Sequence, residues 1–110
     1  MHIFRTPHFF RWLFPKRMWG FSCPEKKIYL TFDDGPHPEV TQWVLDFLHK
    51  EKIQATFFCL GKHVVSHTNI FDLIKSQGHA VGNHTFSHEH GLKVSKEEYV
   101  TSIEKADKVI

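Results

Sequence analysis

Two carboxylates and two imidazoles in this sequence have the types and the spacing of a metal site. Asp33 and Asp34 are adjacent, and His84 and His88 are four residues apart. Residues four apart on a helical turn share a face, so two such His side chains can chelate one ion. Two imidazoles and one carboxylate leave coordination positions open on Zn²⁺, Fe²⁺, Co²⁺ or Mn²⁺. An ion held in this way lowers the pKa of a water towards ~7 and polarises a carbonyl.

Neither half of this set is specific by itself. Adjacent carboxylates repel each other, a cost that a cation removes, and side-chain alternation along a strand lets one bind the ion while the other faces water. Alone, the segment Asp33-Asp34-Gly35-Pro36 is typical of a polar turn, and an isolated His pair is typical of a surface or a core. His90 lies close to the pair and is either unrelated to it or a supporting group.

Three apolar segments predict the strands that would position these groups. The predicted strands are Lys26–Phe32, Ala55–Leu60 and His79–Gly82. The second is a short continuous apolar run, which is typical of a strand buried on both faces of a parallel sheet and closed here by Gly61. Cys59 lies inside this run, so we expect a buried, inert thiol that gives no information on the compartment.

Helical patterns separate the strands. Apolar residues recur at helical spacing from Val40 to Leu48 and from Ile70 to Ile74, where Gly78 suits a helix end. Ser95 and Glu98 form a capping-box signature for a last helix. The predicted order β-α-β-α-β-loop-α indicates an α/β fold with parallel strands and crossover helices. The carboxyl ends of parallel strands share one edge, so the Asp pair and the His pair are expected together.

The predicted sheet is small for an independent domain. A closed (β/α) barrel takes about 200 residues or more, whereas this chain has 110. We therefore expect residues 26–110 to be the N-terminal half of a (β/α) barrel, truncated at its C-terminal end, with an exposed edge at the open side. We expect such a half-barrel to be poorly stable by itself.

Residues 1–25 form a basic, aromatic arm of a different character. Pro7, Pro15 and Pro24 exclude one continuous amphipathic helix, so we expect an arm packed over an end or edge of the sheet, with a membrane-surface segment as the alternative. Basic residues interrupt its apolar run, so no signal peptide is evident, and no apolar run is long enough for a transmembrane helix. We expect a cytoplasmic protein or one peripheral to the envelope.

The charge balance excludes one class of partner. The net charge is +2 with His taken as neutral, and Lys and Arg are spread along the chain. Nucleic-acid binding usually requires a clustered basic face, so no nucleic-acid partner is expected.

Two motifs and the strand between them resemble one family. Thr31-Phe32-Asp33-Asp34-Gly35-Pro36 is similar to the first motif of the polysaccharide deacetylase (NodB-homology) family, and His84-Thr85-Phe86-Ser87-His88 is similar to its second. Ala55–Phe58 resembles the strand between them, and the resemblance covers residues 26–110. It implies a distorted (β/α) barrel that hydrolyses N- or O-acetyl groups on sugars, such as chitin oligomers, peptidoglycan or acetylated xylan.

The resemblance also implies a role for each matching residue. Asp33 would be the general base, and Asp34, His84 and His88 would bind a divalent metal, with Thr85 ordering the loop. Zn²⁺ is expected, with Co²⁺, Mn²⁺, Ni²⁺ or Fe²⁺ as alternatives. The family's later motifs supply an Arg behind the base, an Asp/Trp pair and a general-acid His. These cannot be placed on this sequence, so no residue is assigned the acid role and the chain is expected to be weakly active or inactive.

Other function classes remain open. A non-catalytic metal- or glycan-binding module is the alternative to an enzyme. A phosphotransferase of the Asp-x-Asp kind is disfavoured, because the two acidic residues are adjacent and Gly35 follows. A plain α/β domain with scattered His would require both motifs to be coincidences. The motifs assign no substrate-binding residues, no particular sugar and no oligomeric state.

Overall fold

Three short parallel strands form the centre of this computed structural model, which describes residues 8–20 and 24–110. The strands are β1 (Thr31–Asp33), β2 (Thr56–Cys59) and β3 (Ala80–Asn83), in the spatial order β1-β2-β3. The helices are α1 (His8–Leu13), α2 (Val40–Glu51), α3 (Gly61–Ser66), α4 (Thr68–Ser76) and α5 (Lys96–Asp107). Both strand pairs are parallel, and Phe57 is paired with Phe32 on one side and with Val81 on the other. The predicted α/β class with parallel strands is confirmed.

The connection from β2 to β3 contains a helix that the sequence pattern did not predict. Gly61 was predicted only to close the second strand, yet it begins α3. The predicted order β-α-β-α-β-loop-α is therefore wrong at this point, because α3 and α4 both lie between β2 and β3. Periodicity could not reveal α3, since it is six residues long and buries only Gly61 and Val64.

The first predicted strand is too long at its start. β2 pairs its first residue, Thr56, with Thr31, so residues 26–30 precede the paired segment. The Thr56 N–H still donates to the Leu30 carbonyl at 3.0 Å, whereas Ile28 is 89% exposed. The other two strands agree with prediction to within one residue at each end, and Gly78 ends α4 with a φ of 80°.

The core lies on one face of the sheet. Alternate residues of β2, Phe57 and Cys59, are buried against α2, α3 and α4, where Leu45, Leu48 and Ile74 are fully buried. Thr56 and Phe58, on the opposite face, are only half-buried. The expected coverage of this strand on both faces is therefore wrong for the described residues, because the helices of the core pack on the same side. Burial raises the pKa of the Cys59 thiol to about 11, which agrees with an inert thiol.

The N-terminal arm is exposed where the structure describes it. α1 is six residues long and buries none of them. The expected packing of the arm over the sheet is not seen in residues 8–20, where Trp19 is half-buried and its neighbours are exposed. Pro7 lies outside the described residues, and Pro15 follows the end of the helix. Among the described residues, no helix combines the length and the apolar character that crossing a bilayer requires.

Candidate metal centre

The turn after β1 separates two adjacent carboxylates. Asp33 is the last residue of β1, and its side chain is exposed. Asp34 follows with a φ of 68°, in the left-handed region, so the chain leaves the strand direction at this residue. The Asp34 Oδ1 lies 3.2 Å from the Nε2 of His84 and 3.1 Å from the Nε2 of His88. The structure therefore brings together the three predicted ligands.

The geometry of these three groups fits a divalent cation. Their ligand atoms all lie within 4.8 Å of one another, and the two imidazole centroids are 5.1 Å apart. Two ligand atoms at ~2.0–2.1 Å from a tetrahedral Zn²⁺ are ~3.3–3.4 Å apart, close to the observed 3.1 and 3.2 Å. All three side chains are partly exposed, which leaves space for water or substrate. A carboxylate oxygen between two imidazole nitrogens is a donor set that Zn²⁺ and similar ions accept.

The segment that carries both histidines is a loop. Thr85 and His88 have φ values of 67° and 66°, so a helical turn does not relate His84 to His88, and the segment is the loop that the predicted element order places after β3. The Asn83 side chain accepts from the Thr85 N–H at 2.7 Å, and the Thr85 hydroxyl accepts from the N–H groups of His88 and Glu89 at 3.0 and 3.3 Å. Thr85 thus orders the loop, as predicted. Side-chain hydrogen bonds to the backbone, rather than a helix, bring the two imidazoles together.

α3 joins this loop to the Asp34 turn. Its first N–H groups have no partners within the helix, and those of Gly61 and Lys62 donate to the carbonyls of Thr85 and Phe86, both at 3.0 Å. The Phe86 ring packs where a side chain on Gly61 would lie, 2.5 Å from the ideal Cβ position. On the other side of the helix start, the Leu60 N–H donates to the Gly35 carbonyl at 2.9 Å.

α5 also makes hydrogen bonds to this loop. The hydroxyl of Ser102, a buried residue, accepts from the Phe86 N–H at 2.9 Å and donates to the Glu89 carboxylate. The Asn83 amide donates to the Ile103 carbonyl at 2.8 Å. The predicted capping box at Ser95 is present and starts this helix.

Glu89 is ionised within this network. Partial burial raises its pKa, but hydrogen bonds from the Ser102 hydroxyl, from the N–H groups of Glu89 and Ser87, and from the Thr85 hydroxyl outweigh that effect. The net result is a pKa lowered to about 2. A carboxylate that accepts several hydrogen bonds resists protonation in this way. The hydrogen bonds to the charged Glu89 carboxylate therefore stabilise the loop.

Three further histidines differ in their relation to the site. His90 is exposed and lies outside the three-residue group. His79 precedes β3, at the opposite end of the strands, and its Nδ1 accepts from the Ala55 N–H at 3.2 Å. His63, which the sequence analysis did not select, has its Nδ1 2.7 Å from the backbone carbonyl oxygen of Asp34. His63 belongs to α3, a helix too short to be predicted from periodicity, so the sequence pattern offered no reason to select it.

The sequence matches one family over most of its length. Residues 22–110 match the profile of the family described as polysaccharide deacetylase. The chain belongs to the polysaccharide deacetylase family. It is 41% identical over 103 residues to a peptidoglycan-N-acetylglucosamine deacetylase of Bacillus cereus, which covers 92% of this chain and 37% of that protein. It is 47% identical over 64 residues to a chitooligosaccharide deacetylase of Rhizobium leguminosarum bv. trifolii, covering 58% of this chain and 30% of the relative.

Solved structures of polysaccharide deacetylases share the fold. The peptidoglycan deacetylase PdaC from Bacillus subtilis is 38% identical, with a TM-score of 0.75 over 78% of this chain and 43% of that one. A family 4 acetyl xylan esterase from Clostridium thermocellum, in complex with a cobalt ion, is 36% identical, with a TM-score of 0.69 over 74% of this chain and 40% of that one. The predicted membership of the deacetylase fold is confirmed. The chain spans less than half the length of these relatives.

Proposed function

We propose that the protein to which this chain belongs is a metal-dependent hydrolase that removes acetyl groups from an N-acetylglucosamine polymer or oligomer. The observation that carries the proposal is the convergence of the Asp34 Oδ1 with the Nε2 atoms of His84 and His88, at 3.2 and 3.1 Å. The curated relatives described above are named for deacetylation of peptidoglycan N-acetylglucosamine and of chitooligosaccharides. These names support an amide-linked acetyl group on a sugar as the substrate.

The proposed division of roles follows from the turn after β1. Asp34, His84 and His88 would hold a divalent cation, Zn²⁺ or a similar ion, and a cobalt ion in one related structure supports this class. Such a cation, when bound, lowers the pKa of a water and polarises an acetyl carbonyl. Asp33, one residue earlier and exposed at the end of the strand, is our candidate for the general base that accepts the proton from the attacking water.

The proposed activity is that of the whole protein rather than of these residues alone. The chain covers 37% of the Bacillus cereus relative and 30% of the Rhizobium relative. The family resemblance places a supporting Arg and a general-acid His in later motifs that find no match in this sequence. We therefore expect the 110 residues by themselves to release acetate slowly or not at all.

The activity test uses acetate release from acetylated chitin oligomers and from peptidoglycan, with acetylated xylan to separate amide from ester linkages. We expect Asp33→Asn in the whole protein to retain its metal and to lose about 10²–10⁴-fold in rate. The matched control is Asp46→Asn, since Asp46 is exposed on α2 and hydrogen-bonded only to Gln42 in the described network. Full activity in Asp33→Asn, or an unchanged rate after chelation of the metal, would reject the proposal.

A metal- or glycan-binding module without turnover is the alternative function. Both classes predict bound metal, so metal content alone does not separate them. Bound metal together with no acetate release from any of the three substrates, measured on one preparation of the whole protein, would favour the binding module.

A further inference from the structure

The first turn of α3 is the element that touches both parts of the candidate metal site. On one side it donates backbone hydrogen bonds to Thr85 and Phe86, in the loop between the two histidines. On the other side it contacts the Asp34 turn twice, through the Leu60 N–H to the Gly35 carbonyl at 2.9 Å and through the His63 ring to the Asp34 carbonyl at 2.7 Å.

We propose that His63 is a positioning residue, which holds the Asp34 turn so that its carboxylate faces His84 and His88. This inference rests on the proposed metal site. Asp34 has a φ of 68°, in the left-handed region, which Asp enters more readily than most residues with a Cβ but still at an energetic cost, and contacts from outside the turn offset that cost. The His63 contact is made to the backbone of the ligand residue itself, and therefore acts directly on the conformation that aims the carboxylate.

The contact determines which ring nitrogen of His63 donates a hydrogen bond. A backbone carbonyl oxygen only accepts hydrogen bonds, so the His63 Nδ1 must carry the proton and donate to Asp34. The side chain of Asn places its amide nitrogen at the same distance from Cα as the His Nδ1, whereas Gln carries its amide one carbon further out. Asn at position 63 can therefore replace the contact, and Ala cannot.

Loss of the contact can be separated from loss of the helix. Ala has a higher helix propensity than His, so His63→Ala favours the helical backbone of α3 while removing the hydrogen bond. The backbone bonds from Gly61 and Lys62 to the histidine loop do not involve the His63 side chain. A defect in His63→Ala would thus arise at the Asp34 turn.

The test is calorimetric titration of the metal-free protein with Co²⁺ and with Zn²⁺, together with the visible absorption spectrum of the Co²⁺ form. We expect His63→Ala to weaken metal binding about 10–100-fold, the usual effect of losing a group that orients a ligand. His63→Asn is expected to stay within about threefold of the original protein, because it restores the donor. His49→Ala, on the exposed side of α2, is the matched control and is expected to bind metal normally.

The outcomes separate the inference from the function on which it rests. If the unsubstituted protein binds neither ion, the proposed metal site is wrong. If it binds metal and His63→Ala binds equally well with the same spectrum, the positioning role is wrong. If His63→Ala does not fold, as judged by circular dichroism, His63→Gln replaces it. Normal binding by His63→Asn and weakened binding by His63→Gln then support the role, and equal binding by the two overturns it.

Discussion

Two segments carry the candidate metal ligands, and they differ in how many hydrogen bonds connect them to the helices. One is the turn with Asp34, and the other is the loop with His84 and His88. The turn is tied to α3 by two hydrogen bonds, from the Leu60 N–H and from the His63 ring. The histidine loop is tied to α3 by two backbone bonds and to α5 through Asn83, Phe86 and Glu89, and it is bonded internally through Thr85. The loop is therefore preorganised, and Asp34 is the ligand whose position depends on few contacts.

This difference separates two kinds of substitution. Removing any one ligand should abolish the site regardless of how the rest is supported. Removing a support should matter more at the turn, where few contacts remain, than in the loop, where others compensate.

Removal of a ligand is expected to have the largest effect. His84→Ala deletes a nitrogen that lies 3.2 Å from the Asp34 Oδ1, and metal affinity should fall by more than the ~100-fold that loss of a supporting group can cause. Bound metal, measured by native mass spectrometry, should fall from about one ion per chain to none. His90→Ala is the control, because His90 is exposed and outside the group. The reverse pattern, with metal lost in His90→Ala only, would contradict the assignment.

Filling the space between α3 and the histidine loop should have the next largest effect. The Cβ of Gly61→Ala would lie 2.5 Å from the Phe86 ring and 3.1 Å from the Ala106 Cα. Because a backbone atom bounds the space, we expect the free energy of unfolding to fall by about 3 kcal/mol, the upper end of the usual cost of overpacking. Gly91→Ala is the control, since its nearest neighbour would be 3.6 Å away. Equal midpoints of urea unfolding for the two variants would show that the space between Gly61 and Phe86 can accommodate a methyl group, and would contradict the prediction.

Removal of one support in the loop should have a smaller effect. Ser102→Ala leaves the Phe86 N–H and the Glu89 carboxylate without a shared partner, which we expect to cost about 1–2 kcal/mol in the free energy of unfolding. Metal affinity should change by less than in His63→Ala, because Asn83 and Thr85 still order the loop. Thr101→Ala, at the exposed neighbouring position, is the control. A larger loss of metal affinity in Ser102→Ala than in His63→Ala would reverse the proposed contrast.

The smallest predicted effect lies away from the site and depends on pH. His79 is buried, and burial lowers its pKa below 6.5. The unfolded chain therefore takes up a proton more readily than the folded one. The free energy of unfolding is therefore unaffected by the protonation of His79 well above pH 6.5. It decreases as the pH falls below that value, by at most about 1.4 kcal/mol per pH unit. His79→Asn keeps an acceptor for the Ala55 N–H and should flatten this dependence without changing metal affinity. Identical acid profiles for the two proteins would refute the linkage.

The sequence predicted the parts of this molecule that depend on local patterns. A continuous apolar run predicted β2 and helical spacing predicted α2, and the alternation of such segments predicted the parallel α/β fold. The strand-end position of Asp34 and the spacing of His84 and His88 predicted that the three would meet, since parallel strands end at the same edge. Each motif and element was predicted from residues close together in sequence, and the rule for parallel strands related them to one another.

The parts that were missed depend on distant contacts. α3 is too short to show a period, so neither the helix nor the role of His63 was visible. The left-handed backbone of Thr85 and His88 is stabilised by hydrogen bonds that their N–H groups donate to the side chains of Asn83 and Thr85. The neighbouring Phe86 N–H donates to Ser102, which is distant in sequence. A spacing of four residues is typical of a helical turn, but His84 and His88 come together through the backbone of the predicted loop instead.

The most direct measurement of the central claim is X-ray absorption at the zinc edge of the Zn²⁺-loaded protein. We expect two imidazoles, with nitrogen at ~2.0–2.1 Å, and otherwise oxygen ligands, from Asp34 and water. His84→Ala should lose one imidazole from the spectrum if any ion remains bound, whereas His90→Ala should keep both. Sulfur at ~2.3 Å, or a zinc ion with fewer than two imidazoles in the unsubstituted protein, would contradict the proposed site.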